Sequence, residues 1–191
     1  MIPTATRVLT ALAGAARLAR FQAGGLSAFD TDARAFVESF FAAALAAPGY
    51  VVLVLFHLQR TEPEASTLAV VLVQGLAYVI SWTAFPALAH ELARLLDRGE
   101  RWMGFVVALN WSKVIQMAVY VPLIVLANSG LVGEQSAAAL SLAALTVILI
   151  YQWFVTRAAL AVHGAQAAGL TGFDLIIGIT ITAATEAALT P

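Results

Sequence analysis

The sequence predicts an all-α fold, a polytopic transmembrane bundle of five helices kinked by prolines. Composition carries the first argument. Of 191 residues, 61% are hydrophobic and 11% are charged, against about 25% charged in ordinary soluble domains. A water-soluble fold of this size has too much surface to cover with so few charges, and the mean hydropathy of +0.89 agrees. Uncharged runs carry the second argument: 25 residues between Glu64 and His90, and 22 between Glu134 and Arg157. About 20 apolar residues cross a hydrocarbon core. Prolines carry the third, with Pro48, Pro86 and Pro122 each inside an apolar stretch, where the missing N–H bends a helix. The net charge of -1 offers no basic patch, so nucleic acid is excluded as a partner. The absence of cysteine excludes disulfides, thiolate metal sites, iron–sulfur clusters and a cysteine nucleophile.

Residues 1–34 read as a cytoplasmic leader and residues 35–191 as the bundle. The leader imitates a signal peptide, with Arg7 before the apolar run Val8 to Ala16 and small residues at Ala11, Ala13 and Ala15. On a helical wheel, Leu9 falls beside Arg20 and Leu18 near Arg7, which leaves a poor apolar stripe. The expectation is a short uncleaved helix resting on the bilayer or on other subunits. Gly24-Gly25 supplies a bend, and Asp30 or Thr31 is the expected N-cap of the next helix.

Five spans follow, at about 35–58, 65–89, 102–127, 135–160 and 169–189. Pro48-Gly49 is expected to kink the first or to end a half-helix there. His90 to Arg101 reads as a polar continuation of the second, ending at Gly99, with Glu91 and Arg94 at pairing distance. In the fifth, Asp174 and Glu186 leave only 11 uncharged residues between them. That segment either spans or lies as a shorter helix in the interface. Neither a tandem nor an inverted repeat is visible.

Arginines set the expected orientation. Eight of the ten basic residues fall on one side of this topology: Arg7, Arg17, Arg20, Arg34, Arg94, Arg98, Arg101 and Arg157. Arg60, with Glu62 and Glu64, falls on the other. The N-terminus is therefore expected in the cytoplasm and the C-terminus outside. Trp102 and Tyr50 serve either as interface anchors or as packing residues.

The third span, WMGFVVALNWSKVIQMAVYVPLIVLA, organises the rest. It carries Asn110, Lys113 and Gln116, polar groups that are costly against lipid. Asn110 and Lys113 share a helical face, and Gln116 drifts to its edge. Gln152 of the fourth span falls at similar depth. An intramembrane polar cluster of Asn110, Lys113, Gln116 and Gln152 has three readings: a binding or conduction site, interhelical hydrogen bonding, or a Lys113 that snorkels at the edge of a span shifted to Trp111–Leu131.

Other polar residues suggest ion pairs. Arg157 and Asp174 flank the last loop, and Glu38 is within one turn of Arg34, or in reach of Lys113 in a compact bundle. Glu186 has no evident partner in the sequence. His57 falls near the outer face, and His90 and His163 at inner helix ends, a poor arrangement for haem ligation. No cofactor or metal is expected, and no HExxH, GxSxG, Walker or GxGxxG motif appears. Small pairs at spacing four, Ala43/Ala47, Ala139/Ala143 and Gly178/Thr182, suggest tight helix packing.

A phenylalanine-rich first span (AFVESFFAAAL), five close-set spans and the distinctive segment ALNWSKVIQ resemble the small bacterial membrane proteins related to the Ypt-interacting-protein (YIP) domain family. The likeness is one of architecture over most of the chain. Eukaryotic members of that family are non-enzymatic partners of small GTPases in membrane traffic. The resemblance implies a binding or organising protein of the bacterial inner membrane without catalytic residues. Two functions are expected candidates. One is an accessory or scaffold subunit that holds other membrane protein subunits or copies of itself within the lipid bilayer. The other is a small transporter or channel component using the cluster around Lys113.

Overall fold

The computed structural model describes residues 2–61 and 65–189, without the side chains of Arg60 and Thr61. Glu62 and Glu64 thus lie outside the described residues. Among those described the chain is helical, with no strand. The helices are α1 (Ala5–Leu18), α2 (Ala33–Ser39), α3 (Phe41–Thr61), α4 (Thr67–Leu95), α5 (Trp102–Asn128), α6 (Glu134–Leu160) and α7 (Gly164–Leu189). Taking α2 and α3 together, five segments are long and apolar enough to cross a membrane. The chain is an integral membrane protein by this measure. The fifth segment is a continuous helix of 26 residues, which at 1.5 Å per residue is about 39 Å long. It is therefore not a short interfacial helix.

The first span breaks at Phe40 rather than at Pro48. Ser39 donates its hydroxyl to the Phe36 carbonyl at 2.7 Å, and Phe40 N–H turns back to Val37 at 3.3 Å, a 3-10 step that separates α2 from α3. Pro48 lies inside α3, which continues past it. The cap of α2 is Asp32, whose carboxylate accepts from Ala35 N–H at 2.7 Å, not Asp30 or Thr31. Likewise α4 stops at Leu95, not at Gly99. Asp97 takes the left-handed conformation (φ 55), and Arg98 N–H closes on the Ala93 carbonyl at 2.7 Å. Glu91 and Arg94 do pair, at 3.3 Å.

α5 is the central helix. It packs on α1, α2, α3, α4 and α6, and α7 closes the bundle against α4 and α6. Every residue from Phe105 to Ser112 is buried. Tyrosines seal α3 to α4: Tyr78 donates to the Ala43 carbonyl at 2.6 Å, and Tyr50 to Gln74 Oε1 at 2.9 Å. Trp102 donates to the Pro86 carbonyl at 2.9 Å. The polar tips of Tyr50 and Trp102 therefore serve helix contacts.

The leader differs most from expectation. Ala11, Gly14, Ala15 and Leu18 form a buried stripe at i, i+3, i+4 and i+7 that packs α1 onto its own bundle. All its members but Leu18 are small, so a search for a stripe of large apolar residues passes over it. Gly24-Gly25 opens a 3-10 turn (Ala23–Ala28) folded under α1. The approach is close: a Cβ on Gly25 would sit 2.5 Å from the Gly14 carbonyl oxygen. Tyr151 of α6 donates to the Ala15 carbonyl at 2.7 Å.

Packing is uneven along the bundle. The two buried apolar clusters centre on the leader and on the half carrying the α4–α5 and α6–α7 connections. We call this the arginine end. In α5, Ala127 is the one buried residue beyond Gln116, and Ala139 and Ala143 of α6 are exposed rather than packed. Ala42 and Ala46, not Ala43 and Ala47, are the fully packed small residues of α3.

Candidate functional site

The loosely packed half contains a cavity of about 600 Å³, bounded chiefly by α4, α5, α6 and α7. Lys113, Gln116, Gln152 and Asp174 line it, together with Trp82 and three tyrosines. Depth follows from helix geometry at 1.5 Å per residue. Counted from the arginine end, Lys113 lies about 16 Å along α5, Gln152 about 12 Å along α6 and Asp174 about 15 Å along α7. These distances are near half the thickness of a hydrocarbon layer of about 30 Å.

Within the cavity, Gln152 Nε2 donates to Asp174 Oδ2 at 2.5 Å. Lys113 Nζ sits 5.5 Å from the centre of the Trp82 ring, in reach of a cation–π interaction. Its amine thus stands over the Trp82 ring of α4. Gln116 is 8% exposed, and its Nε2 has no protein partner. An unmatched buried amide N–H facing a cavity costs free energy that a bound polar group would recover.

Three of the four residues of the expected cluster share this cavity, and Asn110 does not. It is fully buried, and its Nδ2 donates to Ser39 Oγ at 3.0 Å across to α2. Asn110 faces α2 while Lys113, three residues on, has turned toward α4.

Asp174 takes the place that Asn110 leaves. The sequence had paired it with Arg157, and that pair is not formed: Arg157 lies 5.5 Å over the Trp153 ring. The reason is axial. α7 begins at Gly164 rather than 169, which sinks Asp174 about ten residues into the helix while Arg157 stays in the last turn of α6. The sequence carried a signal for this. Asp174, Gly178, Thr182 and Glu186 recur every four residues, one helical face. Glu186, without an evident partner in the sequence, stands 3.7 Å from His57 Nε2 at the opposite end of the bundle.

A second polar site ties down the leader. Glu38 is almost fully buried and accepts from Arg34 Nε at 2.8 Å and from Arg7 Nη1 at 2.5 Å. Arg7 also reaches Asp30 at 3.2 Å. The Glu38 hydrogen bond and charge together hold the Arg7 guanidinium above its ordinary pKa. Glu38 is used by these arginines, not by Lys113.

His90 contacts Glu91 and Trp102, and His163 carries no ring contact to His90. Among the described residues no three His, Asp or Glu side chains gather closely enough for a metal ion. No family model, curated protein or solved structure matches the chain.

Proposed function

We propose that this protein is a non-enzymatic small transporter, or the binding component of one, that holds a small polar ligand in the cavity around Lys113 and Asp174. The observation that carries the reading is the concentration of polar groups at one cavity between α4, α5, α6 and α7. A cation, a carboxylate and an unmatched amide donor face it together. Ionisable side chains at that depth are expensive against lipid and are kept where they meet a partner or a ligand. The chemistry suits a solute with both an acidic and a basic or hydrogen-bonding group. Lys113 would take the former, and Asp174 the latter.

The bacterial inner membrane is the setting we propose, with the leader in the cytoplasm, on the strength of the eight arginines at the arginine end. A second reading is an accessory subunit of a larger complex, as the likeness to YIP-domain proteins implies. It draws on the outer face of the leader, where Ile2, Leu9 and Phe21 are exposed beside Arg17 and Arg20. The inner face of the leader, which that reading would also need, is already spent on the bundle.

Thermal unfolding of the purified protein in mild detergent tests the proposal against a panel of small zwitterions, organic anions and organic cations. At a concentration about 100 times Kd, a ligand adds about 2.7 kcal/mol of stability. The expectation is a rise in Tm with one class that is lost in Lys113→Met and Asp174→Asn. No rise with any class, together with a stoichiometric membrane protein in the eluate, would favour the accessory subunit.

A further inference from the structure

We infer that α7 lines a water-filled path by which a hydrophilic solute enters the Lys113–Asp174 cavity from the end of the bundle opposite the arginines; this rests on the binding reading above. A second cavity of about 280 Å³ lies between α3, α4 and α7 and contains His57 and Gln74. It shares Tyr50, Ser81, Gly178, Thr182 and Glu186 with the first. The two are therefore neighbours along one face of α7. That face is the run Asp174, Gly178, Thr182, Glu186, which spans twelve residues, about 18 Å of helix.

Polar groups mark both ends of the path. At its mouth, the Glu186 side chain is 52% exposed and His57 38% exposed, 3.7 Å apart. An exposed carboxylate at a helix end can meet water, which lowers the cost of holding it near the membrane. At the inner end sits the unmatched Gln116 amide. Between them, the hydroxyl oxygens of Tyr50, Ser81 and Thr182, whose protons go to Gln74 and to the Tyr78 and Gly178 carbonyls, are left to accept from water. The stripe of small side chains at Gly178 and Thr182 leaves the room.

The chain has no cysteine, so the full-length protein is its own background for single-cysteine labelling. Gly178→Cys, Thr182→Cys and Ile176→Cys would be treated in spheroplasts with a charged, membrane-impermeant methanethiosulfonate. A Cβ at Gly178 meets nothing within 4 Å, so that variant fits the fold. Ile176 lies on the same helix, is 60% exposed and lines neither cavity, so it reports the lipid face. Because only a hydrated thiol ionises readily, positions 178 and 182 are expected to react about tenfold or more faster than 176. Equal, slow rates at all three positions overturn the path. If a ligand still raises Tm in that case, the path alone falls and the binding site stands.

Discussion

Arg7 of the leader helix and Glu38 of the first membrane-spanning segment are joined by a hydrogen-bonded ion pair across 31 residues of sequence. Glu38 is the more buried partner, with 5% of its side chain exposed. The leader is therefore latched to the bundle by a carboxylate that has no other way to be satisfied than through Arg7 and Arg34. Glu38→Gln is expected to free α1 without unfolding the spans. Limited trypsin digestion at Arg17 and Arg20 would be faster than in the native protein, and unchanged digestion would show that the latch holds nothing.

The same pair has a pH signature. The Arg7 pKa is raised above its ordinary value, so its contribution is complete below the ordinary value and is lost only as pH rises through the raised one. Leader protection is thus expected to be flat from neutral pH to about pH 10. Hydrogen exchange of α1 across that range checks this.

Gly14 and Gly25 let the leader fold back on itself. A Cβ on Gly25 would lie 2.5 Å from the Gly14 carbonyl oxygen. Gly25→Ala is therefore expected to destabilise the leader by about 1 to 3 kcal/mol, the usual cost of overpacking. Gly24→Ala is the matched control, since a Cβ there meets nothing within 4 Å. Thermal unfolding in detergent would separate the two.

Tyr151 fastens α1 to α6 through the Ala15 carbonyl. Tyr151→Phe keeps the ring and removes the hydroxyl, so the expected loss is about 1 kcal/mol. Faster exchange should be confined to α1 and its neighbouring turn. A uniform loss over all helices would contradict the assignment.

Asn110 and Ser39 form a buried interhelical hydrogen bond. A double-mutant cycle with Asn110→Ala and Ser39→Ala is expected to give a coupling of about 0.6 to 1.7 kcal/mol. A value near zero would mean that Asn110 is held by packing alone.

The fold class and the five spans were legible because lipid demands long uncharged helices, a signal spread over 20 residues at a time. Local geometry was less so. Pro48 looked like a break, yet its missing N–H is tolerated within α3, while the true break at Phe40 depends on a Ser39 hydroxyl bond that composition does not reveal. Lys113, Gln116 and Gln152 were placed together by spacing and depth. Asp174 was assigned to the wrong partner because the start of α7 was set five residues late, at 169 instead of Gly164, and depth errors of that size move a side chain more than one turn. The leader was misread because its contact face is built mostly of Ala and Gly, with Leu18 the one large member, so its packing rests chiefly on close backbone approach.

The depth of the Lys113–Asp174 cavity is the claim on which the rest depends. Ile176 is two residues beyond Asp174 and faces outward, 60% exposed, so a nitroxide on Ile176→Cys reports the depth of the site. Its relative accessibility to oxygen and to a water-soluble nickel complex, measured by electron paramagnetic resonance in lipid bilayers, is expected to place it near the bilayer centre. A label at headgroup depth would put the cavity at the membrane surface and contradict the account.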